Sequence, residues 1–283
     1  MKKEIYLKVV DHAVTKEPFE LLYDPELEML CTIPRPDDKD LVKYYESEDY
    51  ISHTDSKRNW FEQIYQRVKK GALKRKVKLL NSVSNSPKTL LDIGCGTGDF
   101  LNSAKNNGWE VTGIEPNTKA REIANSKLGD KVFDYQHLNH LKTGSFSAIT
   151  LWHVLEHLPD LDTQINRLKQ LLNDNGVIII AVPNYKSFDA SYYKEFWAAY
   201  DVPRHLWHFS KSSIAKLFQN HGLEITKILP LKLDAYYVSL LSEKYKNGWM
   251  NIFSAFFIAS RSNLAAAKSG EYSSLIYVLK KQK

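Results

Sequence analysis

Cysteine is nearly absent from this chain of 283 residues: there are two, Cys31 and Cys95, and no Cys-x-x-Cys pair. That excludes a disulfide framework and a cysteine-bound zinc site. It fits a reducing compartment, so a cytoplasmic location is expected. Long apolar runs are missing too. The longest, 176–183 and 252–259, fall far short of the ~20 residues of a membrane span. The first ten residues hold no sustained apolar core, so no secretory leader is expected. One segment lacks acid altogether: 67–78 carries Arg67, Lys69, Lys70, Lys74, Arg75, Lys76 and Lys78 with no Asp or Glu, within a net charge of +6. A basic run of this kind reads first as a solvated helix face and second as a nucleic-acid patch. No interleaved aromatic run or RNA-binding module accompanies it.

What is present is the composition of a soluble globular protein, 43% hydrophobic and 25% charged. The length suits one large domain or a domain with appendages. Sixteen tyrosines and six tryptophans supply amphipathic walls for a pocket.

From residue 88 onward, short apolar strands alternate with helical stretches. Strands are expected at 89–93, 110–115, 131–134, 148–152, 177–182, 223–229 and 272–280. Helices are expected near 98–107, 117–127, 160–173 and 211–220. The run Val177-Ile178-Ile179-Ile180-Ala181-Val182 is apolar throughout, as a strand buried on both faces must be. Such alternation implies an α/β fold, a mostly parallel sheet wound on both sides. Ahead of it, Phe19–Leu22 and the period-2 stretch 27–33 suggest a hairpin, and Asp37-Asp38 suggest a capped short helix. The tyrosine-rich stretch 44–53 reads as an aromatic clip or a lid. Trp60, Phe61, Ile64, Tyr65 and Val68 give a helical apolar stripe over 58–83. The expected organisation is an N-terminal extension or lid (1–57), a helical lead-in (58–87) and a ligand-binding domain (88–283). That domain contains a substrate loop at 183–209 and a helical insertion at 231–270.

The centre of the chain is Leu91-Asp92-Ile93-Gly94-Cys95-Gly96-Thr97-Gly98-Asp99-Phe100. A strand breaks into three glycines at alternate positions and resumes as a helix. Glycines there allow a tight turn and close approach of a ligand, at the carboxyl end of a strand where open sheets bind nucleotides. The spacing is G-x-G-x-G, not the dinucleotide G-x-G-x-x-G, and no P-loop lysine follows. Asp92 suits an ammonium group better than a diphosphate. Glu115, at the end of the next strand, offers two acceptors to the two hydroxyls of a ribose. Ribose and amino-acid tail together point to S-adenosylmethionine (SAM).

Leu-Asp-Ile-Gly-Cys-Gly-Thr-Gly (91–98), Gly-Ile-Glu-Pro (113–116) and Leu-Trp-His-Val-Leu-Glu-His-Leu (151–158) resemble the motifs of class I SAM-dependent methyltransferases. The branch most similar includes the ubiquinone-pathway O-methyltransferases and their uncharacterised relatives. Val182-Pro183-Asn184, Pro203-Arg204-His205 and His208-Phe209-Ser210 resemble that uncharacterised branch. The likeness runs over about 40–230. It implies a Rossmann-like doubly wound seven-stranded sheet whose last strand is antiparallel. It also implies cofactor contacts from Asp92, Gly94, Cys95, Gly96, Thr97, Gly98, Glu115, Pro116 and Trp152. Ser147 departs from the aspartate usual in relatives. Some relatives hold Mg²⁺ through Glu-x-x-Glu-His where this chain has His153, Glu156 and His157. Mg²⁺ prefers oxygen ligands, so no metal is expected here, and with Cys31 alone no N-terminal zinc either.

Methyl transfer to an O–H needs alignment and a base near neutral pKa. His153 and His205 are the candidate bases. Tyr50, His53, Tyr200 and His208 are candidate acceptor contacts. The expected function is methyl transfer to an O–H or N–H of a small molecule. The alternatives are an RNA-modifying methyltransferase that uses 67–78 and a SAM-binding protein without catalysis. The sequence leaves the oligomeric state open.

Overall fold

The computed structural model describes residues 4–37, 44, 60–84 and 86–282, with the backbone alone over 60–68. The expected short helix after Asp37, most of the tyrosine-rich stretch, and the side chains of the 60–68 stripe lie outside the described residues.

A seven-stranded sheet forms the body of the molecule. Its strands are β4 (Thr89–Ile93), β5 (Glu110–Ile114), β6 (Val132–Phe133), β7 (Phe146–Trp152), β8 (Leu172–Pro183), β10 (Leu223–Pro230) and β11 (Ser274–Lys281). They lie side by side in the order β10-β11-β8-β7-β4-β5-β6. Pairs from β8 through β6 are parallel, and β11 runs antiparallel to both its neighbours. The seven-stranded expectation therefore holds, including its reversed last strand. Within β8 the two-residue period divides the side chains between two cores. Ile178, Ile180 and Val182 join one buried cluster; Val177, Ile179 and Ala181 join the other.

Helices cover both faces. On the first face, α4 (Leu161–Leu171) buries Leu161, Ile165 and Leu168 at i, i+4 and i+7, with Asp160 accepting from the Thr163 amide at its start. There α6 (Lys211–Gln219) adds Ile214, Leu217 and Phe218. On the second face lie α1 (Trp60–Val83), α2 (Asp99–Lys105) and α3 (Thr118–Leu128), contributing Val77, Leu80, Phe100, Leu101, Ala124 and Leu128. Ser147 sits inside the sheet and joins β7 to β4: its Oγ donates to the Thr89 carbonyl and accepts from the Thr89 amide.

One feature goes beyond the sequence reading, and a second divides the helical insertion expected at 231–270 in two. A second sheet of four antiparallel strands forms from β1 (Glu4–Val10), β2 (Pro18–Asp24), β3 (Met29–Ile33) and β9 (Trp207–His208). The β2–β3 hairpin was expected, but β9 was not, because two residues carry no periodicity. The expected substrate loop is thus tied to the N-terminal extension. Arg204 strengthens the tie: it is 4% exposed and donates to Asp11 at 2.9 Å and to Asp201 at 2.6 Å. The other feature is the insertion, which folds as two helices, α7 (Asp234–Asn247) and α8 (Ile252–Ser269). They pack against the short helix α5 (Phe188–Tyr193) of the same loop.

Candidate active site

The glycine turn is built as the spacing demanded. Gly94 and Cys95 donate their amides to the Ile114 carbonyl, which pins the turn to the end of β5. Gly94 has φ +67°, and a Cβ there would stand 2.5 Å from Val154 Cγ2. Gly96 has φ +56° and opens on space, since a Cβ would meet nothing within 4 Å. Glu115, 8% exposed, holds the turn as well as facing it: Oε2 accepts from the Gly96 amide at 2.8 Å and Oε1 from the Asn117 amide at 2.9 Å. Each carboxylate oxygen keeps a further lone pair for a ribose hydroxyl.

Asp92 is buried, and Thr150 donates to its Oδ1 at 2.6 Å. Burial raises its pKa to about 7, against the pull of Thr150 and of the Lys76 ammonium. Lys76 is the surprise of the basic segment. Its Nζ lies 4.2 Å from the centroid of the Trp152 ring and 6.0 Å from that of Phe100. Burial lowers its pKa, with Asp92 and Asp234 opposing. The helical period carried this signal: Lys76 falls between Leu73, Val77 and Leu80, on the buried stripe of α1. Lys69 in turn pairs with Asp99 at 2.7 Å. Lys127 bonds Asp99 and the Thr97 carbonyl, which steadies the end of the turn. Cys95 packs in the core, its thiol pKa pushed up by burial. The Pro116 carbonyl accepts from Arg121 at the surface.

Beyond Trp152 the chain reverses at His153, a non-glycine residue with φ +58°. Its side chain is 36% exposed and lies between two carboxylates: Nε2 is 3.0 Å from Asp234 Oδ2, and Nδ1 is 3.4 Å from Glu156 Oε1. Burial disfavours charge on the ring, but Asp234 first and Glu156 second outweigh it and lift its pKa to about 10. Asp234 opens α7, in the insertion for which the sequence suggested no role. Nothing local to residue 234 could have announced it.

Glu156 is 1% exposed, and neither of its oxygens has a conventional hydrogen-bond partner. It faces His153, His157 and His205. His157 Nδ1 meets the Arg204 carbonyl and His205 Nδ1 the Ala199 carbonyl, at 3.0 and 2.9 Å. Burial, then the neighbouring His205, pushes the His157 pKa down to about 4. His205 is 9% exposed. His208, 4% exposed, is turned to Thr32 Oγ1 in the small sheet. Tyr200, 3% exposed, packs edge-on against Trp197 and His208. His153, Glu156 and Trp152 thus gather beside the glycine turn, while Tyr200 and His208 sit in packed interior. Tyr50 and His53 lie outside the described residues. Donor atoms of Glu156, His157 and His205 fall within 4.8 Å of one another. Two imidazoles and one carboxylate do not fit magnesium, which demands an oxygen shell, and His153 is paired with Asp234.

A strand-turn-helix with open space at Gly96, an acid just after the second strand and a buried acid before the turn make a candidate SAM site. Comparison with known proteins agrees. The profile of the family described as "Methyltransferase domain" matches residues 65–228. The chain is 31% identical over 162 residues to the ubiquinone biosynthesis O-methyltransferase of Aromatoleum aromaticum, covering 52% of this chain and 68% of that one. It is 30% identical over 136 residues to the Psychrobacter cryohalolentis protein of the same name, covering 44% and 51%. The match thus spans 51% to 68% of the length of these curated relatives. A SAM-dependent methyltransferase from Archaeoglobus fulgidus shares the fold with TM-score 0.51 at 17% identity, covering 79% of this chain and all of that one. The chain belongs to the class I SAM-dependent methyltransferase family, and SAM is its cofactor.

Proposed function

We propose that this methyltransferase delivers the methyl group to an O–H of a small-molecule acceptor, and that His153 receives the acceptor's proton. The observation that carries this reading is the position of His153. It stands one residue beyond Trp152 with its side chain 36% exposed, whereas His205 and His208 are buried. The printed names of the O-methyltransferase relatives support the choice of oxygen.

Bound SAM supplies an electrophilic methyl carbon and a neutral leaving group. Everything else falls to the chain. Glu115 and the glycine turn seat the ribose, and Asp92 faces the amino-acid end. Trp152 and Phe100, edge-on at 5.5 Å, with Lys76 beside them, wall the site against water. With Asp234 on Nε2, His153 is an imidazolium and cannot take a proton. An acceptor O–H that replaces Asp234 at Nε2 removes one of the two charges that raise its pKa, which returns the ring toward the ordinary histidine range, and the ring releases its Nε2 proton to solvent before it receives the acceptor's. Glu156, 3.4 Å from Nδ1, stays beside the ring as a counter-charge. The basic segment gives an RNA substrate less support than its composition suggests, because Lys76 lies against Trp152 and Lys69 pairs with Asp99.

The test is incubation with methyl-labelled SAM and a panel of small phenols, hydroxy acids and amines, with product identified by mass. Methyl ethers or esters formed with S-adenosylhomocysteine are expected. Product on amines alone, or full turnover by His153→Ala, overturns the reading.

A further inference from the structure

Helix α8 is packed inside out. Its buried face is small or polar: Ala255, Ala259, Ser262 and Ala266, with Ile258. Its outer face is large and apolar: Ile252 is 58% exposed, Phe253 90%, Phe256 62%, Phe257 63% and Leu264 75%. Trp249 and Met250, in the link from α7, are exposed beside them. Elsewhere among the described residues the exposed large apolar side chains, such as Ile123 and Ile228, are scattered. Single exposed apolar residues need no explanation; a contiguous aromatic patch does.

The patch is held rigidly. Buried Asp189 accepts from Ser262, Ser273 and the Trp197 indole, and buried Glu243 accepts from Ser254, Tyr193 and Asn247. Polar anchors thus point inward and phenylalanines outward, so the exposure is built into the packing. Charge identifies the occupant. From 244 to 270 the chain carries Lys244, Lys246, Arg261 and Lys268, and no acid. A second copy docked through the same patch would bring these cations together, because a two-fold interface pairs a surface with itself. Apolar rings flanked by lysine and arginine match an anionic bilayer surface, where rings enter the acyl boundary and cations meet headgroups. No helix among the described residues is long and apolar enough to cross a membrane, which leaves a surface mode.

We propose that the tip of the α7–α8 hairpin, with Trp249, Phe253, Phe256 and Phe257 leading, docks on anionic lipid bilayers. The inference does not rest on which acceptor is methylated, since binding is read without turnover. The experiment is flotation of the purified chain with phosphatidylcholine vesicles, with and without phosphatidylglycerol, alongside light scattering of the protein alone. Binding to the anionic vesicles, weakened by salt, is expected. Phe253→Ser/Phe256→Ser/Phe257→Ser should cut it by about tenfold or more, given the apolar area withdrawn. Phe253→Ser alone, at the most exposed site, gives a smaller loss should the triple variant fold poorly. Unchanged SAM affinity certifies the fold of either. No vesicle binding by the wild type, binding indifferent to these serines, or a dimer that the same serines dissolve overturns the proposal.

Discussion

The two halves of the site are assembled in opposite ways. The proposed cofactor half comes from two adjacent strands: Asp92, the three glycines and Glu115 lie on β4, the turn after it and the end of β5, linked through the Ile114 carbonyl and the Gly96 amide. The proposed acceptor half is gathered from distant segments: His153 and Glu156 after β7, His205 from the loop after β8, and Asp234 from the insertion. A local constellation keeps its geometry in its spacing. A dispersed one depends on how the hairpin and the small sheet pack, so its charges can change without disturbing the turn.

Four variants probe that contrast. His153→Ala should lower kcat by about 10²–10⁴-fold and leave the SAM dissociation constant unchanged, as read by turnover and calorimetry. A parallel loss of SAM affinity would merge the two halves. Glu115→Ala should do the reverse. It removes charge-assisted bonds worth about 1.5–3 kcal/mol each and so weakens SAM by about a hundredfold, with turnover recovering when SAM is raised.

Asp234→Asn should act on the pH profile. A group whose folded pKa is raised to about 10 contributes stability that is complete below about pH 6.5 and fades as pH climbs through 10. His153 accepts a proton only when the ring is neutral, so removing one of its two carboxylates moves the ascending limb of kcat/KM, which reports the free enzyme, toward neutrality by about one unit or more. A limb that stays in place separates Asp234 from His153. Asp92→Asn should have the smallest effect. The raised Asp92 pKa means its ionisation costs stability as pH rises from about 4 to about 7. A cationic ligand recovers that cost, so wild-type SAM affinity should strengthen with pH, by at most about tenfold per unit below the pKa. The amide variant should show a flat profile in the same calorimetric series.

The sequence reading follows the same divide. The strands from Thr89 to Lys281, the reversed last strand and the glycine turn were legible because each rests on local period or spacing. Lys76 was readable in principle from the α1 stripe, yet its basic neighbours hid it. The β9 strand and the pairing of His153 with Asp234 were not legible, because they depend on contacts between residues far apart in the chain. Asp234 shows the limit most clearly: its partner is 81 positions earlier, as 234 − 153 gives, and only the fold joins them.

The strand order has a consequence for how the protein is made. In the finished sheet β11 lies between β8 and β10, yet it is synthesised after both. Until it arrives, β8 presents an unpaired backbone edge flanked by Ile178, Ile179 and Ile180. Such an edge is open to mispairing in a nascent chain. During translation the segment between Asn184 and Ser273, which carries the exposed phenylalanines, is therefore produced while the sheet still lacks a strand. This protein should lean on chaperones more heavily than a methyltransferase whose strands emerge in spatial order.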